Sequence, residues 1–134
     1  MIDLIVFDLD GTLVDSLPDL AAAANAALRR LGLPEHQVEA HRKLIGRGEK
    51  NFVRRFLGPE HEHLLPQALN LYLEHYSRHL GDFTSVYPGV VDTLARLSHL
   101  KMAVLSNKRE DLSRQVVQVM GLAGFFQTVR GGNS

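Results

Sequence analysis

The spacing of apolar positions changes several times along the chain. Leu4–Phe7 is an unbroken apolar run that ends in turn-forming residues, the pattern of a strand buried on both faces of a parallel sheet. The stretch "PDLAAAANAALRRLG" reads as a helix. Ser16 stands at its N-cap with Asp19 three residues on, arginines fill its last turn, and Gly32 stops it. Residues 35–45 and 49–57 read as further helices separated by "GRG". A longer helix is expected from Pro66 to Leu80, with Leu69, Leu73, Tyr76 and Leu80 on one stripe. Nothing between 17 and 80 carries a strand pattern.

The pattern then changes. Residues 82–89 read as a loop, 90–99 as a helix, and Met102–Leu105 as a second buried strand that runs into "SNK". A helix over 110–120 ends at Gly121, and 125–129 reads as a third strand. The alternation β–(helical insertion)–α–β–α–β predicts an α/β fold with an open parallel sheet. Residues 1–15 and 82–134 would form its core, and 16–81 a small helical domain inserted after strand one. Ligands of such sheets bind outside the carboxyl ends of the strands. Asp8 and Ser106 lie at two of those ends.

Composition narrows the function without naming it. The 134 residues are 45% hydrophobic and 22% charged, with formal net charge zero. No basic run suggests nucleic acid as a partner. Cysteine is absent, which removes disulfides and thiol chemistry. The apolar runs are too short to span a bilayer, and no basic leader with a cleavage site opens the chain, so a cytoplasmic protein is expected. His61 with His63, and His75 with His79, have chelate-like spacing, but no third ligand accompanies either pair. They read as surface histidines.

Chemistry concentrates in "FDLDGTLVDS". Residues two apart on a strand point the same way, so Asp8 and Asp10 share a direction while Leu9 points away. One carboxylate can attack phosphorus or bind magnesium, and a second can give a proton to the leaving oxygen and later take one from water. The turn that follows would offer backbone N–H groups to a phosphate. Ser106 would add a hydroxyl donor and Asn107 a backbone donor. Lys108 either approaches the phosphate or begins a solvated helix. Asp15 reads as part of a helix N-terminus.

"DLDGTLVDS" resembles motif I of the haloacid dehalogenase-like hydrolase superfamily, and "VLSN" resembles its motif II. With "IGRG", "YPGV" and "LSNK", the chain is most similar to the phosphoglycolate phosphatase-like subgroup. The resemblance implies a three-layer Rossmannoid core with a helical cap over 16–81. It implies Asp8 as nucleophile and Mg2+ ligand, and Asp10 as general acid/base with its carbonyl on the metal. It implies Ser106 on the transferring phosphoryl and Thr12 fixing the loop. The "GRG" loop would face the site, where Arg47 serves either as a plain turn residue or as a partner for a substrate carboxylate.

The implied activity is magnesium-dependent hydrolysis of a small phosphorylated metabolite, 2-phosphoglycolate first, through an aspartyl-phosphate. Pyrophosphatase, sugar phosphatase and phosphomutase reactions share motif I. A non-catalytic remnant or binding module is the alternative from another class. The family's motif III lysine and motif IV acidic pair have no counterpart up to Ser134. The chain is therefore expected to be an inactive fragment whose first strand is an exposed edge, either self-associating or covered by a C-terminal companion piece.

Overall fold

The computed structural model describes residues 3–132. β1 (Leu4–Phe7) is followed by a two-residue strand, β2 (Val14–Asp15), and then by four helices: α1 (Leu17–Arg30), α2 (Val38–Arg42), α3 (Glu49–Leu57) and α4 (Leu65–His79). The chain returns through β3 (Ser85–Val86) to α5 (Val90–Arg96), β4 (Lys101–Arg109), α6 (Glu110–Val119) and β5 (Thr128–Gly132). β1, β4 and β5 form a parallel sheet in that order, with Phe7 opposite Val104 and Val104 opposite Val129.

One face of the sheet is a core. Phe7, Met102, Val104 and Val129 pack with Leu94 of α5 and with Val116 and Val117 of α6. The other face differs from the double burial expected of strand one. Leu4 and Val6 are 52% exposed and Leu105 58%. Among the described residues β1 pairs on one side only, with β4. The expected open edge is therefore present, and the expected second covered face of β1 is not.

The helices pack around their own core. α1 presents Ala23, Ala24 and Ala27, whose small side chains let α4 lie close. Phe52 and Phe56 of α3 meet Tyr72 and Tyr76 of α4, and the two tyrosine rings stack at 6.0 Å. The buried row of α4 is Leu65, Ala68, Tyr72 and Tyr76, so the expected leucine stripe lies at its margin, only partly buried. His41 is fully buried here with its Nε2 3.0 Å from Asn25 Oδ1. Burial, reinforced by His36, pushes its pKa down to about 4.

Several elements depart from their sequence pattern for identifiable reasons. The helix expected over 35–45 shortens to Val38–Arg42 because Asn25 of α1 takes both backbone groups of His36, donating to its carbonyl at 2.8 Å and accepting its N–H at 3.0 Å. The loop expected at 82–89 contains β3, which pairs antiparallel with β2 where the chain leaves and re-enters the sheet. The third strand starts at Thr128 rather than 125, since Ala123–Phe125 is a 3-10 turn and Phe126 fills the core edge-on against Phe7. β4 is longer than the apolar run Met102–Leu105. It extends through the polar residues to Arg109 because Gly131 and Gly132 of β5 lie against the backbone of Asn107, Lys108 and Glu110, closer than any Cβ allows.

Ser16 occupies the N-cap position of α1 without capping it. Asp15 Oδ1 accepts the Leu17 N–H at 3.4 Å instead. Asp19 is not half of a capping box. It is buried and accepts the N–H groups of Gly81 (3.2 Å) and Phe83 (3.0 Å) and the Thr84 hydroxyl, tying the start of α1 to the segment after α4. Asp19→Ala leaves these donors without an acceptor. The expected loss is about 2–4 kcal/mol in urea unfolding. A loss below about 0.5 kcal/mol would mean that water replaces the carboxylate.

Candidate active site

β1 ends at Phe7, and the chain turns at once. The Leu9 carbonyl accepts the N–H groups of Thr12 (3.2 Å), Leu13 (2.9 Å) and Val14 (3.2 Å), while the Gly11 N–H donates to Val14 (2.9 Å). Leu9 is wholly buried and Asp8 and Asp10 both face one cavity, as the strand alternation predicts. The turn does not offer the expected run of free N–H groups, because these four are used within it. Thr12 is exposed, lines a different depression beside Phe7 and donates its N–H within the turn.

The cavity has a volume of about 40 Å³. From the sheet side it is lined by Asp8, Asp10, Ser106, Asn107 and Lys108. From the helical side it is lined by Leu20, Gly46, Gly48, Glu49 and Tyr72. Asp8 is exposed, and its Oδ1 accepts the Leu9 N–H at 2.8 Å. Ser106 Oγ accepts the Lys108 N–H at 3.1 Å, which leaves its hydroxyl proton available to another acceptor. Asn107 Nδ2 donates to the Gly46 carbonyl at 2.9 Å. Gly46 and Gly48 have φ of +105° and +87°, values that favour glycine, and they press the loop onto the strand end. Arg47 between them is exposed and lies outside the cavity lining, so the geometry here is that of a turn.

Of the two readings of Lys108, the solvated helix start is the one the structure contradicts, and the residue lines the cavity. It is not at a solvated helix start but in the longest strand, with its side chain only 3% exposed. Its Nζ lies 3.3 Å from Asp10 Oδ2 and donates to the Tyr76 hydroxyl at 2.8 Å. Asp10 Oδ1 in turn accepts the Ser16 hydroxyl at 2.6 Å. Both Asp10 oxygens are thereby engaged, whereas Asp8 presents its carboxylate to the cavity.

Sequence reasoning missed Ser16 in this role, and also Glu49, Tyr72 and Tyr76. Glu49 opens α3, is buried, and accepts the Arg109 N–H at 2.9 Å. Burial pushes its carboxyl above the ordinary value, opposed by Lys108 and by the Arg109 N–H. Burial likewise raises both tyrosines well above their usual range, so they stay phenols. The only signal was the acid directly after "GRG", and it is weak, because acids are common in the first turn of any helix. Three carboxyl groups and one ammonium face the cavity. That surplus of hard, anionic oxygen suits a divalent cation. Among the described residues no three acidic or histidine side chains cluster closely enough to hold a metal by themselves. His75 and His79 stack at 4.3 Å and His79 turns to Asp82, in keeping with surface histidines.

The haloacid dehalogenase-like hydrolase family model matches residues 5–134. The phosphoglycolate phosphatase of Pseudomonas putida is 40% identical over 139 residues, covering 98% of this chain and 51% of its own length. That of Chromobacterium violaceum is 38% identical over 137 residues, covering 97% and 62%. The chain thus spans between half and two thirds of the length of these curated relatives. The crystal structure of a predicted phosphoglycolate phosphatase from Haemophilus somnus superimposes with a TM-score of 0.88 at 30% identity, over 99% of this chain and 64% of its own. A haloacid dehalogenase-like family hydrolase from Streptococcus pneumoniae shares the fold with a TM-score of 0.88 at 23% identity.

Glu49→Gln tests the electrostatics. A carboxyl whose folded pKa is raised contributes stability below its unfolded value of 4.5, and that contribution is lost as pH rises through the folded value. The variant should melt higher than wild type at pH 7, with the gain vanishing below pH 4.5. A lower melting temperature at pH 7 would mean that an ionised Glu49 stabilises the fold through Lys108.

Proposed function

The chain belongs to the haloacid dehalogenase-like hydrolase family, and on that premise we propose that it supplies the nucleophile and the cap of a phosphatase acting on 2-phosphoglycolate. The observation that carries this reading is the division of labour between the two aspartates. Asp8 faces the cavity with an exposed carboxylate, and Asp10 is fixed beside it by Ser16 and Lys108. A nucleophile must be free to reach phosphorus, and an acid/base group must be held in place.

The chemistry follows from that difference. An Asp8 oxygen attacks phosphorus as the bond to the glycolate oxygen breaks, and Asp10, in its protonated form, gives its proton to that leaving oxygen and becomes the carboxylate that Lys108 and Ser16 hold. The Ser106 hydroxyl donates to a phosphoryl oxygen, since its own oxygen is already oriented by the Lys108 N–H. Water then attacks the aspartyl-phosphate while Asp10 takes back a proton, releasing inorganic phosphate and restoring both carboxyls. Mg2+ would be held by the Asp8 carboxylate and the Asp10 carbonyl together with phosphate oxygens and water, and when bound it supplies charge neutralisation of the phosphoryl group.

Residues 16–81 act as the cap in this reading. The cap closes over the cavity, excludes bulk water and selects the substrate. The glycine loop at 46–48 and Glu49 face the leaving group from the cap. The phosphoglycolate phosphatases among the relatives support this substrate over pyrophosphate or a sugar phosphate.

Asp8→Asn in the full chain should abolish release of phosphate from 2-phosphoglycolate with Mg2+, and should also abolish binding of beryllofluoride, which mimics the acyl phosphate. Wild-type turnover in that variant overturns the assignment. Asp10→Asn should slow turnover about 10²–10⁴-fold with beryllofluoride still bound. A rise in KM alone would make Asp10 a binding group.

A further inference from the structure

We propose that Tyr76, on the cap helix α4, is a positioning residue for Asp10, acting through Lys108, so that seating of the cap sets the acid/base carboxylate in place. The inference rests on the phosphatase reading for the role of Asp10, and on geometry for the rest. Lys108 comes from the sheet and Tyr76 from the helical segment. Its Nζ is shared between the Tyr76 hydroxyl at 2.8 Å and Asp10 Oδ2 at 3.3 Å. The same ammonium lies 4.2 Å from the centre of the Tyr76 ring.

A buried ammonium needs acceptors. Here one acceptor is the reacting carboxylate, and the other arrives only when α4 is seated. With α4 lifted, Nζ loses the phenol oxygen and the aromatic face together and is hydrated from the cap side. Its grip on Asp10 then weakens, since an ion pair in water is worth little. The Ser16 hydroxyl alone would hold the other oxygen. The hydroxyl of Tyr76 is therefore the part that reports cap closure to Asp10. The ring has a separate task, packing on Tyr72 in the cap core.

Tyr76→Phe separates these tasks, because it keeps the ring and removes only the acceptor. In the full chain, with 2-phosphoglycolate and Mg2+, kcat should fall about 10–100-fold, the loss expected for one hydrogen bond to a charged group that orients a reacting one. KM should change less than about twofold. In an Asp10→Asn background the same substitution should have no further effect on kcat. A loss of equal size in that background would mean that Tyr76 acts on cap closure in general, and an unchanged kcat in the single variant would mean that it positions nothing. Either result overturns the proposal.

A second measurement does not depend on turnover or on the folding of that variant. The Lys108 ammonium should give an exchange-protected signal in a lysine 15N–1H spectrum, and Asp10→Asn should shift both that signal and the Tyr76 Cζ resonance. An unprotected ammonium, or a Tyr76 resonance indifferent to Asp10→Asn, overturns the coupling. Full turnover by Asp8→Asn would instead overturn the phosphatase reading and leave this spectroscopic result standing.

Discussion

The burial of Lys108 against Asp10 is the constraint on which the rest of the site depends. Taking two charges out of water is unfavourable unless each finds further partners, and removing one member leaves an uncompensated charge. The partners here come from well-separated parts of the chain: Ser16 from the start of α1, Tyr76 from α4, and the ion pair itself from the ends of β1 and β4. The register of α4, the entry into α1 and the length of β4 must all agree for the pair to be satisfied. The close backbone approach of Gly131 and Gly132 holds the polar end of β4 in the sheet and so keeps Lys108 pointed at Asp10.

Three successive residues at that strand end each reach a different part of the helical segment. Asn107 bonds the Gly46 carbonyl, Lys108 the Tyr76 hydroxyl, and the Arg109 N–H the Glu49 carboxyl. The seam over the cavity is thus mainly polar, while the apolar cores of the sheet and of the helices are largely distinct, with Leu112 of α6 reaching into the helical one. Polar contacts exchange for water at small net free energy, whereas separating apolar faces does not. A seam of this kind can open without unfolding either core, which is what the proposed cap role of the helical segment needs.

Much of this was legible in the sequence, and the boundary of legibility has a physical cause. The 3.6-residue period placed α1, α3 and α4 to within a residue or two, and strand alternation placed Asp8 and Asp10 on one cavity with Leu9 turned away. Those are local properties. Ser16, Tyr76 and Glu49 were misread or missed, and Lys108 was left between the phosphate and a solvated helix start, because each has an ordinary local explanation, as cap, apolar stripe, first-turn acid or helix start. Their roles arise from contacts with residues elsewhere along the chain, from Asp10 with Ser16 six residues apart to Asp10 with Lys108 toward opposite ends of the chain. The helix expected at 35–45 failed for the same reason: Asn25, which takes the backbone of His36, looks like any polar residue in an alanine-rich helix.

The same ion pair bears on how an anionic substrate can approach carboxylates at all. A phosphate ester entering beside Asp8, Asp10 and Glu49 meets three acidic groups and one ammonium. Lys108 offsets Asp10, and burial favours the protonated form of Glu49, so the group that repels phosphate most directly is the exposed Asp8. In the proposed reaction that is also the attacking group. A divalent cation held at Asp8 would relieve the repulsion by neutralising charge on the phosphoryl group. In the proposed phosphatase Lys108 is committed to Asp10, and a metal held by the hard oxygen donors at the end of β1 would supply charge neutralisation at Asp8.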